Sequence, residues 1–367
     1  MTAIDDSFLP ADPSTSKGGP VLVVDDLTVR FPTHDGLVQA VSGLSYTVEK
    51  GKTLGIVGES GSGKSVSSMA VLGLHDPRST RMSGSIKVNG AEVIGASEAT
   101  MKRIRGNEVA MVFQDPLTAL HPYFTVGSQI VEAYRLHHNV SKKVARARAV
   151  EMLDLVGIPQ PDRRVNDFPH QFSGGMRQRA VIAMALVNDP GLIIADEPTT
   201  ALDVTVQAQI LDLLQSLQRE FDSAIIIVTH DLGVVAEMAD DVLVMYGGRG
   251  VEFGPTKDVL TRPSMPYTWG LISSVPDVHE RSDQKLIPIP GTPPSLLNPP
   301  AGCAFFPRCA HKDKVGGDLC ETELPEFLPL AGNPAHLKRC HLHDPEQIYV
   351  DEVAPEIFAD ASEKLEN

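Results

Sequence analysis

Apolar and polar positions along the chain change period several times, and each change marks an element. Val21–Val24, Leu27–Phe31 and Leu44–Val48 are short β-branched or apolar runs, with His34-Asp35-Gly36 as a turn between them; they predict a small antiparallel sheet. Leu54–Val57 is a further apolar run, followed by a glycine-rich loop and a helical pattern through Met69. Gly84–Gly90 reads as a strand ending in an Asn-Gly turn, and Val109–Phe113 as a strand running into Gln114-Asp115-Pro116. From Val126 to Val156 the period is helical, with Ser141 as a cap and Val144, Ala147, Val150, Leu153 and Leu155 as the expected apolar face. Leu192–Ala195 and Ala224–Val228 are apolar without alternation, the signature of strands buried on both faces of a parallel sheet. Between them, Val206, Ile210, Leu213, Leu214, Leu217 and Phe221 recur at helical spacing. Val242–Tyr246, followed by Gly247-Gly248, opens a closing hairpin. The fold class is therefore α/β.

Length and charge narrow the picture. A chain of 367 residues with 42% hydrophobic content has enough for one large domain and an appendage. A formal net charge of −15 argues against a nucleic-acid partner, whose phosphates such a surface repels. No apolar run approaches bilayer length, and MTAIDDSFLP has no basic stretch ahead of an apolar core, so neither a membrane span nor a secretory signal is expected. Residues 1–20, rich in Pro, Ser and Asp, read as a flexible leader, and 344–367 as a mobile acidic tail.

The candidate chemistry starts at Gly58-Glu59-Ser60-Gly61-Ser62-Gly63-Lys64-Ser65, which is GxxxxGKS, a P-loop, with Val66 next in the helix. Its glycines let backbone N–H groups close around phosphate oxygens, Lys64 reaches the β- and γ-phosphates, and the Ser65 hydroxyl ligates Mg²⁺. Asp196 and Glu197 end a buried strand, where one carboxylate can hold Mg²⁺ while the other orients water. His230 leaves the next strand beside them, suited either to a γ-phosphate contact or to a structural role. Ser173-Gly174-Gly175 opens a helix as a plain N-cap or as a second anion site. Phe31 is either a core residue or a ring that stacks on a base.

Taken together and in this order, the P-loop, Gln114, Ser173-Gly174-Gly175, Asp196-Glu197, Ala201-Leu202-Asp203 and His230 resemble the ATP-binding subunit of an ABC transporter over about residues 21–262. The resemblance implies a P-loop ATPase cassette: a RecA-like core, an antiparallel β subdomain and an α-helical subdomain at about 115–185. It assigns Phe31 to adenine stacking, Gln114 to metal contact and coupling, Glu197 to the catalytic base, Asp203 to the D-loop and His230 to the switch position. The signature reads FSGGM where the family pattern is LSGGQ, and the stacking residue is Phe where Tyr is commoner. Two cassettes of such a protein sandwich ATP, so a second ATPase subunit, two transmembrane permeases and an extracytoplasmic substrate-binding protein are the implied partners, with the chain at the cytoplasmic face of the membrane.

Residues 263–343 are Pro-rich, and their PYTWGLISSVP, IPGTPPSLLNPPAGCAFFPRC and KRCHL resemble the C-terminal extension of oligopeptide and dipeptide importer ATPases. Peptide cargo is the implied reading, nickel or another solute the alternative, and a soluble ABC ATPase of repair or translation the third. Cys303, Cys309, Cys320 and Cys340 fall here in a C-x5-C-x10-C-x19-C pattern. Four thiolates in irregular chain suit Zn²⁺ or a [4Fe–4S] cluster, or remain as buried thiols. Paired zinc knuckles are absent, and some proteins that this chain resembles carry a cluster here, so the cluster is the first expectation. It is expected to staple the extension and to lie outside the ATP site, in a structural or regulatory role, because nothing in the sequence ties the two sites into one reaction centre.

Overall fold

A computed structural model describes residues 19–200, 202–274 and 288–355. Most of the leader, Ala201, residues 275–287 and the tail beyond 355 lie outside the described residues. Among the described residues twelve strands run in chain order: Leu22–Thr33 (β1), Gly36–Val48 (β2), Thr53–Val57 (β3), Arg81–Val88 (β4), Ala91–Glu92 (β5), Val109–Val112 (β6), Leu192–Asp196 (β7), Ala224–Thr229 (β8), Asp241–Tyr246 (β9), Arg249–Pro255 (β10), Leu328–Leu330 (β11) and Asn333–Lys338 (β12).

The expected antiparallel sheet is present, in the order β2-β1-β4-β5. Val21–Val24 and Leu27–Phe31, read as separate runs, belong to one strand. The pairing slips between Val24 and Leu27, where Asp26 takes φ 47°; a bulge rather than a turn interrupts the apolar pattern.

The second sheet has the order β11-β12-β10-β9-β3-β8-β7-β6. Its centre is parallel: β3 lies between β8 and β9, β7 pairs with β8, and β6 with β7. Every residue of β3, β7 and β8 is buried, as their unbroken apolar runs require. The carboxyl ends of these parallel strands form one edge, where open α/β sheets bind ligands.

Helices Val126–His137, Lys142–Leu155 and Gly174–Leu186 pack together between β6 and β7. The phase of the middle one differs from the sequence reading. Ala145, Ala149, Met152 and Leu153 are its buried face, while Val144, in the first turn after the Ser141 cap, is exposed. Small Ala side chains allow close helix approach, and arginines flank them on both sides, so bulk is a poor guide to the inner face here.

The extension joins the large sheet directly. β12 pairs antiparallel with β10 and β11 with β12, and buried His336 lies 2.7 Å through Nε2 from Oε1 of equally buried Glu252 on β10. Tyr246, Tyr267 and Phe305 form an aromatic knot, with ring centroids 4.4 to 5.5 Å apart, that carries Cys303 and Met265 into the same apolar cluster as Val57. The expectation that this segment needs metal as its staple is therefore corrected: strand pairing and an aromatic core anchor it. The acidic segment after His343 also departs from expectation through residue 355, because Tyr349 is buried and packs on Trp269 with ring centroids 6.0 Å apart.

Candidate functional site

β3 delivers the phosphate loop. At Gly58 a Cβ would come within 2.2 Å of the Met245 carbonyl oxygen, and at Gly63, which caps helix Lys64–Val71 with φ 101°, within 2.4 Å of that of Ala40. Any side chain at either position would force the loop open. Lys64 is only 6% exposed, and its Nζ donates to the carbonyls of Gly58 at 2.7 Å and Glu59 at 3.1 Å. Burial lowers its pKa, with Glu197, Asp196 and Glu59 pulling the other way. Ser62 Oγ is buried with no hydrogen-bond partner among the described residues. An unpaired hydroxyl on a residue that lines the phosphate-loop cleft suits a phosphate oxygen.

Of the three metal ligands expected from sequence, Ser65 and Asp196 meet, while the side-chain amide of Gln114 bonds to Glu197 instead. Ser65 Oγ donates to Asp196 Oδ1 at 3.1 Å, and Asp196, at the end of β7, is held above the usual carboxylate pKa range by burial. A hydroxyl and a buried carboxylate side by side are a hard-oxygen donor pair that suits Mg²⁺.

Glu197 follows Asp196 with φ 46°, a left-handed conformation in which a non-glycine residue is strained. Its own N–H donates to the Val228 carbonyl at 2.8 Å, which locks the turn. The carboxylate gathers three partners: Gln114 Nε2 donates to Oε2 at 2.8 Å, Thr200 Oγ1 donates to Oε2 at 2.8 Å, and His230 Nδ1 is 3.3 Å from Oε1. Residues from the ends of three strands thus converge on one carboxylate. Ser60, Gly61, Ser62, Gly63, Lys64, Ser65 and Val66 line an open cleft together with Gln114, Glu197 and His230.

Other expected site residues stand apart from that cleft. Ser173 caps helix Gly174–Leu186 by accepting from the Met176 N–H at 3.3 Å, and Asp203 caps helix Val204–Phe221 by accepting from Val206 N–H at 3.0 Å. The two caps are neighbours, since a Cβ at Gly175 would lie 3.0 Å from Val206, and Ser173, Gly174 and Asp203 are exposed. Val204 beside them is 84% exposed, an apolar group left uncovered on the same face. Ala201, grouped with Asp203 in the sequence, lies outside the described residues. Phe31 is half-buried and edge-on to His75, with ring centroids 5.5 Å apart, and is not among the residues lining the cleft.

Three contributors escaped sequence reading. Thr200 was hidden because a Thr three residues after a Glu carries no distinctive pattern. Gln178, buried within the signature helix, donates through Nε2 to the Pro198 carbonyl at 2.8 Å and so ties that helix to the loop after Glu197. Leu296, from the extension, lines the nucleotide cleft beside Ala40, and its carbonyl accepts from the Gln39 N–H at 2.8 Å. Nothing in the sequence signals this contact, in which residues more than two hundred positions apart pair through their backbones, while the four cysteines line a different cavity from the phosphate loop.

Cys303, Cys309, Cys320 and Cys340 line one small cavity, and none is in a disulfide. Burial pushes the thiols of Cys303 and Cys309 up to about 11 and that of Cys340 up to about 12. Among the described residues no group of three or more His, Cys, Asp or Glu is placed to hold a metal ion. The donors expected for a [4Fe–4S] cluster or zinc are thus gathered around one cavity, with burial favouring their thiol form.

Comparison with known proteins agrees with this geometry. The ABC transporter family matches residues 41–200, and the oligopeptide/dipeptide transporter C-terminal region matches 251–315. The oligopeptide transport ATP-binding protein OppD of Bacillus subtilis is 52% identical over 308 residues, 84% of this chain and 85% of that protein. The dipeptide transport ATP-binding protein DppD of the same organism is 49% identical over 88% of this chain and 95% of its own length. OppD of Escherichia coli is 47% identical over 90% of this chain and 96% of its own. Among solved structures, the dimeric ATP-binding cassette MJ0796 bound to ADP and Pi matches with a TM-score of 0.57 and 26% identity, covering 64% of this chain and 98% of that one. A fold, a cleft built for a nucleoside triphosphate and relatives at about half identity over most of their length lead to one conclusion: the chain belongs to the ATP-binding proteins of the ABC transporter family, in its oligopeptide/dipeptide group.

Proposed function

We propose that the chain is the ATP-hydrolysing motor of a membrane importer for oligopeptides or dipeptides, peripheral to the cytoplasmic face. The observation that carries the reading is the convergence of Gln114, Glu197 and His230 on the cleft that the phosphate loop lines. In this reading the loop amides, Lys64 and Ser62 hold the phosphates, and Ser65, Asp196 and Gln114 would hold Mg²⁺, which would supply charge neutralisation to the triphosphate when bound. Glu197, oriented by its three hydrogen bonds, accepts the proton of the attacking water, and His230 contacts the γ-phosphate. Phe31 borders the adenine. Ser173-Gly174-Gly175 and Asp203 serve the partner cassette's nucleotide, in keeping with their absence from the lining of this chain's own cleft.

The partners follow from that division: a second, related ATPase subunit, two transmembrane permeases and a substrate-binding protein delivering peptide. No helix among the described residues is long and apolar enough to cross a membrane, so passage of cargo falls to the permeases. Copurification from native membranes tests the assembly, with permeases and a second cassette as the expected companions. Peptide uptake that survives deletion of the chain, or recovery with soluble partners alone, overturns it. A nickel importer remains the alternative cargo class and is distinguished by the same uptake assay.

We also propose that the four cysteines take a [4Fe–4S] cluster. The support is the donor set, four thiols around one cavity, and ligation would require them to deprotonate and close inward. Protein purified anaerobically should hold about four irons per chain. One zinc per chain assigns the site to zinc, and metal-free protein with an intact extension defeats both.

A further inference from the structure

Glu59, the second residue of the phosphate loop, is an acid in a place that must accept a polyanion. All three of its polar parts are engaged. Its N–H donates to Tyr267 Oη at 2.7 Å, its carbonyl accepts from Lys64 Nζ, and its carboxylate is gripped by Arg308 in a two-point pair, Nη1 to Oε2 at 2.6 Å and Nη2 to Oε1 at 3.0 Å. Arg308 lies 249 positions away in the Cys-bearing extension, and its side chain is only 4% exposed. Three further acceptors fix it: Pro290 O at 2.7 Å from Nε, Tyr246 Oη at 3.1 Å from Nη1 and Ile289 O at 3.3 Å from Nη2. The guanidinium fork is therefore prebuilt and aimed at one carboxylate.

We infer that Arg308 is a positioning residue of the ATP site: by holding and neutralising Glu59 it makes an acidic phosphate loop able to accept a polyphosphate, so that the extension is a working part of nucleotide binding. Without the guanidinium, a carboxylate would stand beside Lys64 with its charge uncompensated, repelling phosphate and competing for the lysine. Leu296, from the same irregular stretch, already walls the cleft, so this stretch meets the nucleotide site at two points. The inference rests on the phosphate-loop reading of the site, and Lys64→Ala separates the two.

The test is ATP affinity of the full chain, measured by titration with a fluorescent ATP analogue and competition with ATP. Arg308→Met should weaken binding about tenfold, a typical size for coupling between linked sites, and the defect should shrink at high salt. Arg308→Met combined with Glu59→Gln should recover most of that loss, because the unmasked charge is gone. A purely fold-holding arginine predicts no recovery. Wild-type affinity in Arg308→Met while Lys64→Ala loses binding overturns the inference, as does a double variant as weak as the single one. Wild-type affinity in Lys64→Ala overturns the phosphate-loop reading instead. Should Arg308→Met fail to fold, Glu59→Gln alone decides: tighter ATP binding than wild type supports charge masking, and equal or weaker binding overturns it.

Discussion

The phosphate loop and the cysteine-bearing extension are both irregular stretches beside the same parallel sheet, yet they hold their shapes by different means. The loop is local: glycines that admit no Cβ, a helix that starts at Lys64, and a lysine folded back on the carbonyls of Gly58 and Glu59. The extension is held from a distance, by β12 on β10, His336 on Glu252, Arg308 on Glu59 and Phe305 on two tyrosines. One therefore shows itself in eight consecutive letters, and the other only in a set of partners scattered over the chain. The difference teaches that the extension is less an appendage than an outer wall of the cassette, reaching the nucleotide cleft itself.

The contrast is sharpest where a single contact anchors the wall. His336→Ala removes the side-chain partner of a fully buried carboxylate, leaving it only the Ser264 N–H, and should destabilise the protein by about 3 kcal/mol, seen as a lowered midpoint in thermal or urea unfolding. An unchanged midpoint would mean that the hairpin contributes nothing to the cassette. Within the cleft, Glu197→Gln should bind ATP and slow hydrolysis by about 10²-fold or more; near-normal turnover moves the base elsewhere. Lys64→Ala should weaken ATP binding about tenfold, the worth of a charge-assisted hydrogen bond, measured by ATP titration. Leu296→Ala, a change in the wall, should cost about 1 kcal/mol of ATP affinity through lost apolar contact; no change would remove the extension from the cleft.

The smallest effect concerns pH. Burial alone would raise the pKa of Glu92, but hydrogen bonds from Ser85 Oγ and the N–H groups of Ile86 and Ile94 outweigh it, and the net shift is downward from 4.5. A depressed carboxylate stabilises the fold above its unfolded pKa and loses that contribution as pH falls through the lower folded value. The stability of wild type should therefore decline below about pH 4.5 more steeply than that of Glu92→Gln, measured by urea midpoints across an acid series. Parallel curves would show that those hydrogen bonds do not favour the ionised form.

By itself the sequence determined the α/β class, the phosphate loop, the paired carboxylates at the end of a buried strand and the histidine after the next. Each of these is written in adjacent residues, because a strand that ends in a functional group needs only its own apolar run and the few letters beyond it. Tertiary structure alone decided which partners those groups have. Thr200 and Gln178 became visible as supports of the Glu197 turn only when strand order brought β6, β7 and β8 side by side. Helix Lys142–Leu155 turned Ala145 and Ala149 inward and left Val144 and Ala147 exposed because the neighbouring helices approach there, a fact its own periodicity does not contain. Arg308 and Leu296 carry no motif at all. Their placement depends on pairings across more than two hundred residues, and such contacts are set by the packing of the whole sheet and its aromatic knot rather than by any local pattern.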